Sequence, residues 1–262
     1  MAIGRENPPT TIASAKPARI TDPATFAVGT SGFAYDHWIG RYYPRGLARL
    51  RWLEFYAQTF STVELNVTFY RMPKATAFEG WRDAVPEDFR FAVKASRYLT
   101  HVRRLKDPRG PVEFLMDRVS RLGGRLGPVL LQLPPDMRVE VDRLDATLEA
   151  FGDRVQVAVE PRHPSWFTDE IRGLLTAHGA ALCLVDRRGL RTPTWTTAPW
   201  AYLRFHEGRA YPPSCYGRVA LKSWADRLIA RRPRWRDGWV YFNNDAHGCA
   251  VRNAVEFDRL LR

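Results

Sequence analysis

Polar residues recur at one kind of position in this chain, the end of a short apolar run. Glu64 and Asn66 close the run from Thr62, Lys94 closes the run from Phe89, and Gln132 sits near the end of Val129 to Leu133. Glu160 ends the run from Val155, with Arg162 and His163 just beyond, and Asp186 follows Val185. Arg204 and His206 end the run from Ala201, while Asn243, Asn244 and Asp245 follow Trp239 to Phe242. Loops after strands are polar in any fold, but Glu, Lys, Gln and His inside apolar runs must find partners when buried.

The inventory is carboxylates (Glu64, Glu160, Asp186, Asp245), imidazoles (His101, His163, His206), cations (Lys94, Arg162, Arg204) and amides (Asn66, Gln132, Asn243, Asn244). Such a set suits acid–base work on a polar anion, with cations holding the charge and a carboxylate or imidazole moving protons. Glu64, Lys94, Glu160, His206 and Asp245 are the expected catalytic residues. Asn66, Tyr70, His101, Gln132, Arg162, His163, Asp186, Arg204, Asn243 and Asn244 are expected to bind the substrate. His163, His206, Glu160 and Asp245 would also make an N/O site for divalent zinc or manganese, although no H-x-x-x-H or H-x-H spacing marks one. Plainer readings stand beside these: Glu160 with Arg162, or Lys94 with Glu64, as structural ion pairs; His163 as a turn histidine packed on Trp166; His101 as part of a solvated basic loop with Arg103, Arg104 and Lys106.

What positions the set is an alternation of short β-rich runs with helical periodicity. Strands are predicted at Phe26–Gly29, Thr62–Leu65, Phe89–Lys94, Val129–Leu133, Val155–Glu160, Ala181–Val185, Ala201–Phe205 and Trp239–Phe242. Helices are predicted near Leu47–Thr59, Ala75–Ala84, Pro111–Leu122, Val141–Ala150, Thr168–His178, Leu221–Ala230 and Ala246–Leu261. Between Val185 and Ala201, Pro193 and Pro199 interrupt any helical pattern, so an irregular connection is expected around the sixth and seventh strands. Eight strands, continuous apolar runs that suit strands buried on both faces, and no linker predict a single α/β domain over residues 25–262, a TIM-type (β/α)8 barrel. In that fold all strand ends share one mouth. An open doubly wound sheet is the alternative, but no G-x-G-x-x-G follows the first strand.

The formal charge of +12 favours anionic partners, and small-molecule phosphate or nucleic acid is the expectation. An arginine-rich stretch from Arg218 to Trp239, with Trp224 and Trp235, has a nucleic-acid-like composition, and it also reads as an ordinary barrel helix with a charged outer face. Arg227, Arg231 and Arg234 are expected to be exposed there. Cys183, Cys215 and Cys249 are odd in number and widely spaced, which indicates neither a disulfide framework nor a zinc knuckle and fits a cytoplasmic protein. No stretch is apolar enough for a membrane span, and residues 1–24 read as a flexible leader.

Several motifs resemble those of a known family. They are Gly29-Thr30-Ser31-Gly32-Phe33 with Trp38 and Tyr43-Pro44, Val63-Glu64-Leu65-Asn66 with Phe69-Tyr70, and Phe91 to Ala95 with Thr100-His101. Leu131-Gln132-Leu133-Pro134-Pro135, Val159-Glu160 with Arg162-His163 and Trp166, Tyr202-Leu203-Arg204 with His206, and Tyr241-Phe242-Asn243-Asn244-Asp245 complete the series. In this order they resemble the YecE-like family, domain of unknown function seventy-two, which implies a TIM barrel and no settled activity. Pro161 stands where that family usually has an aromatic residue, and Glu207 where glycine usually follows the histidine.

Three functions compete: acid–base or metal-assisted hydrolysis of a phosphate-containing substrate, non-catalytic binding of nucleic acid or a nucleotide, and sugar processing. The last would use Glu64 and Glu160 as a carboxylate pair and Trp38 as a stacking platform.

Overall fold

The computed structural model describes residues 25–262; the predicted leader lies outside them. Eight parallel strands form the barrel: β1 (Thr25–Thr30), β2 (Thr62–Leu65), β3 (Arg90–Lys94), β4 (Leu126–Gln132), β5 (Val157–Glu160), β6 (Ala181–Arg187), β8 (Trp200–Phe205) and β9 (Asp237–Phe242). The short β7 (Leu190–Arg191) folds back antiparallel on β6, and this hairpin fills the connection in which the prolines forbid a helix. Round the outside run α1 (Trp52–Tyr56), α2 (Val67–Tyr70), α3 (Ala75–Asp83), α4 (Arg109–Val119), α5 (Val141–Phe151), α6 (Asp169–Ala177), α7 (Arg218–Arg231) and α8 (Cys249–Leu261).

The strand order is β1, β9, β8, β6, β5, β4, β3, β2, and the ring nearly closes where β2 returns to β1. There the ladder is reduced to one bridge, Ser31 with Glu64, and Gly32 N–H donates to the Glu64 carbonyl at 2.8 Å. A side chain completes the seam: the Tyr56 hydroxyl accepts from Thr30 N–H at 2.9 Å and donates to the Thr62 carbonyl at 3.1 Å. Glycine is required beside it, because a Cβ on Gly29 would lie 2.2 Å from the Thr62 carbonyl oxygen.

Strand residues alternate between two cores. Ala27, Ala92, Leu130, Ala158, Cys183, Tyr202, Trp239 and Tyr241 fill the barrel interior. Their neighbours Val28, Val63, Val93, Leu131, Val159, Leu184, Leu203 and Val240 face the helices in the larger outer core. This parity carries on past the strand ends and decides which polar residues reach the mouth.

Two expectations fail outside the barrel. Cys215 and Cys249 are joined in a disulfide that ties the segment before α7 to the start of α8, because the return of α8 against α7 brings together cysteines 34 residues apart in sequence. Cys183 is free and buried in the barrel. Arg227 and Arg234 are exposed, as expected, but Arg231 is half-buried and donates to Thr194 Oγ1 at 3.1 Å. No helix among the described residues is long and apolar enough to cross a membrane.

Candidate active site at the barrel mouth

Inward parity selects Glu64 and Asn66 from β2, Lys94 from β3, Gln132 from β4, Glu160 and Arg162 from β5, Arg204 and His206 from β8, and Asn243 from β9. At their centre lies Arg204, fully buried between two fully buried carboxylates. Its Nη2 donates to Glu64 Oε1 at 2.8 Å and its Nη1 to Glu160 Oε2 at 2.6 Å. The second oxygen of Glu64 accepts from the Tyr202 hydroxyl at 2.6 Å. The second oxygen of Glu160 accepts from Gln132 Nε2 at 2.9 Å and from Arg162 Nε and Nη2 at 2.8 and 2.7 Å. A carboxylate so surrounded stays ionised: burial alone would raise the pKa of Glu160, but the charges of Arg204 and Arg162 outweigh it and hold it well below the carboxylate range.

Above this floor the groups are looser. Lys94 is only 7% exposed, yet it makes no ion pair among the described residues; its ammonium stands 3.9 Å from the centre of the Phe69 ring. Burial and the neighbouring Arg204 lower its pKa to about 8, against the smaller opposing pull of Glu64 and Glu160. The sequence-level pairing of Lys94 with Glu64 does not form, because Arg204 and Tyr202 already hold that carboxylate. His101, on the wide turn Tyr98–Val102 that follows β3, packs its ring against Phe69 and bonds Thr100 Oγ1 through Nδ1 at 2.9 Å. Burial, then Lys94, lowers its pKa to about 4. His206 lies 3.1 Å from the Asn243 amide through Nδ1 and 3.4 Å from Arg204 Nη1 through Nε2, and burial followed by Arg204 lowers its pKa to about 3. Both imidazoles are therefore neutral at pH 7. Asn66 Oδ1 is buried without a hydrogen-bond partner among the described residues.

Other predicted site residues lie elsewhere. Asp186 has the outward parity: its carboxylate accepts from Trp224 Nε1 on α7 at 2.8 Å. His163 faces out too and accepts from Ser165 N–H at 3.2 Å, capping the short helix Pro164–Trp166. Asn244 is buried against α8, where its Nδ2 donates to Asn253 Oδ1 at 2.9 Å. Tyr70 projects into solvent from α2, 80% exposed. Asp245 is held at the β9 edge of the mouth by Trp38 Nε1 at 2.8 Å and His37 Nε2 at 2.7 Å. Glu207 sits 3.9 Å from both Arg187 and Arg188, which set its charge against the β6–β7 turn.

These positions correct two chemical expectations. No three His, Cys, Asp or Glu residues among the described ones come together to hold a metal ion. His163 is turned out, Asp245 is engaged by Trp38, and Glu160 is saturated by donors, so that quartet is not a ligand set. Nor are Glu64 and Glu160 an acid/base pair for a sugar, since one guanidinium binds both. Trp38 is fully buried, stacked with Tyr56, and offers no ring face to a ligand.

Fold and site together define a class: a TIM-type barrel whose mouth is floored by a buried carboxylate–guanidinium network and carries a lysine free of any carboxylate. The chain belongs to the family described as Protein of unknown function DUF72, whose model matches residues 27–262. It is 28% identical over 268 residues to the UPF0759 protein YunF of Bacillus subtilis, covering 89% of this chain and 94% of that one. To the UPF0759 protein YecE of Escherichia coli it is 34% identical over 116 residues, a match that spans only 43% of that relative. A solved DUF72 family protein of Thermotoga maritima is similar with a TM-score of 0.79 and 31% identity, over 90% of this chain and 99% of that one. One from Enterococcus faecalis, with a TM-score of 0.76 and 20% identity over 90% of this chain and 95% of that one, shows likeness of fold alone.

The sequence reading missed Tyr202 and Tyr56. A tyrosine two residues before Arg204 shares its inward parity, and that signal was available; the role of Tyr56 in the seam depends on a helix-to-strand distance that sequence spacing does not encode.

Proposed function

We propose that the protein is an enzyme that hydrolyses a phosphate-containing substrate at the barrel mouth by acid–base chemistry. The observation that carries this reading is Lys94, a nearly buried ammonium with no carboxylate of its own, beside Arg162. Arg204 is shared between Glu64 and Glu160, and Asp245 is engaged by Trp38 and His37 at the β9 edge, so Lys94 is the inward cation left without a carboxylate partner among the described residues. A desolvated cation so placed recruits an anion, and a phosphate satisfies both the guanidinium fork and the ammonium.

Glu64 and Glu160 act as positioning residues: they fix Arg204 and aim Arg162. Lys94, with a pKa near neutrality, holds the phosphate and donates a proton to the leaving oxygen. The neutral His101, its ring fixed by Thr100, takes the proton of the attacking water at Nε2 as the new P–O bond forms, while the proton from Lys94 goes to the leaving oxygen. Asn66 Oδ1 takes a donor from the substrate. Non-catalytic binding remains the rival reading, favoured by the fact that Glu64 and Glu160 are both committed to ion pairs.

Turnover separates the two. The purified protein and its Lys94→Met variant are incubated with aryl phosphate monoesters and diesters, and release of the aryl alcohol is followed. The proposal expects hydrolysis that falls at least about a hundredfold in the variant. Saturable binding of these esters with no hydrolysis by the wild type would leave the binding reading.

A further inference from the structure

Beside the mouth, α2, the turn Tyr98–Val102 and the start of α4 enclose a groove of about 690 Å³. Its walls carry four aromatic rings, Phe69, Tyr70, Tyr98 and Phe114, with two arginines, Arg97 and Arg103, and not one acidic residue. Tyr98 and Phe114 are 54% and 52% exposed, and Val102 is 57% exposed between them. Apolar surface gathered in this way marks a contact site rather than ordinary scatter. Arg97 makes no ion pair among the described residues, and Arg103 pairs with Asp107 outside the groove.

We infer that this groove binds unpaired nucleotides that flank the phosphate held in the mouth, so that the ligand is a single-stranded nucleic acid. Three observations favour it over a protein partner. Aromatic faces interleaved with cations are what unpaired bases and their phosphates need together, since every base has a face to stack and every linkage a charge to neutralise. The complete lack of acidic lining suits a polyanion and gives basic protein side chains nothing to pair with. Phe69 also belongs to both sites: one face meets the Lys94 ammonium at 3.9 Å, while Tyr70 packs against its ring with centroids 5.1 Å apart. A strand with one phosphate at Lys94 therefore runs directly onto the aromatic wall. The inference rests on the phosphate-binding reading of the mouth, and it moves the expected nucleic-acid contact away from the arginine-rich α7. In α7, Arg227 already lies over Trp224 at 4.2 Å and Arg231 is tied to Thr194.

The test is fluorescence anisotropy with a labelled twelve-residue oligodeoxythymidylate, the same oligonucleotide as a duplex, and inorganic phosphate as competitor. Tyr98→Ala/Phe114→Ala removes two exposed rings and spares the core; Lys94→Met addresses the mouth. The inference expects the single strand to bind about tenfold or more tighter than the duplex, and affinity for it to fall at least about tenfold in Tyr98→Ala/Phe114→Ala with inorganic phosphate binding unchanged. Equal affinity for both forms, or full retention of single-strand binding by the double variant, overturns it. If Lys94→Met and added phosphate leave binding untouched while Tyr98→Ala/Phe114→Ala abolishes it, the groove stands and the mouth reading fails. Competition by a basic aromatic peptide, with no oligonucleotide binding, would identify a protein partner and overturn it as well.

Discussion

Arg204 on β8 reaches Glu160 on β5 at 2.6 Å with neither side chain accessible to solvent, and the same guanidinium spans the barrel to Glu64. The pair forms the buried floor of the mouth. Two anions buried together are tolerated only because one cation lies between them, and removing it exposes the cost.

Arg204→Met, which keeps most of the volume, leaves the buried Glu64 without a cation and Glu160 with Arg162 alone. It should lose about 3–5 kcal/mol of unfolding free energy. Urea denaturation at pH 7 checks this, and a loss under about 1 kcal/mol would mean that water reaches the carboxylates.

Acid should act through Glu160. Its folded pKa lies below the ordinary value of 4.5, so the stability it contributes is present above about 4.5 and is lost as pH falls further. Glu160→Gln should be less stable than wild type at pH 7, and the difference should shrink steadily below pH 4.5. A difference that stays constant with pH would assign the effect to packing.

Lys94 should titrate early. The chain has five lysines, so labelling by acetic anhydride with mass-spectrometric mapping follows each one. The midpoint for Lys94 should fall at about 8, below the ordinary lysine value of 10.5. The sign for stability follows. A lowered lysine pKa burdens the fold below about 8 and is relieved as pH rises toward 10.5, so Lys94→Met should stabilise the protein most at pH 7 and least at pH 10.5.

The seam between β1 and β2 should be fragile to small changes. Tyr56→Phe leaves the buried Thr30 N–H and Thr62 carbonyl without their shared partner, at roughly 1–3 kcal/mol for each group left unsatisfied. Thermal denaturation of this variant checks the value, and a midpoint equal to that of wild type would show the seam closed by other contacts.

Much of this was legible in the residues. All eight barrel strands fall where short apolar runs predict them, because parallel strands buried on both faces leave a continuous signal. The convergence of Glu64, Lys94, Gln132, Glu160, Arg162, Arg204, His206 and Asn243 follows from the same geometry. Asp186, His163 and Asn244 were misplaced because position at a strand end was read without parity. Cys183, Glu160 and Tyr241 point inward, so their odd-step neighbours Asp186, His163 and Asn244 point out. The partition of charge was not legible: whether Glu64 pairs with Lys94 or Arg204 depends on side-chain reach across the barrel. The disulfide was hidden for a related reason, since it needs the return of α8 against α7 to bring Cys215 and Cys249 together.

The claim that the mouth takes a phosphate through Lys94 is tested most directly by calorimetric titration of inorganic phosphate into the wild type and into Lys94→Met at pH 7. The account predicts saturable binding at one site per chain, weakened at least about tenfold in a variant that folds at least as stably as wild type. Absence of binding to the wild type, or the same affinity in Lys94→Met, would contradict it.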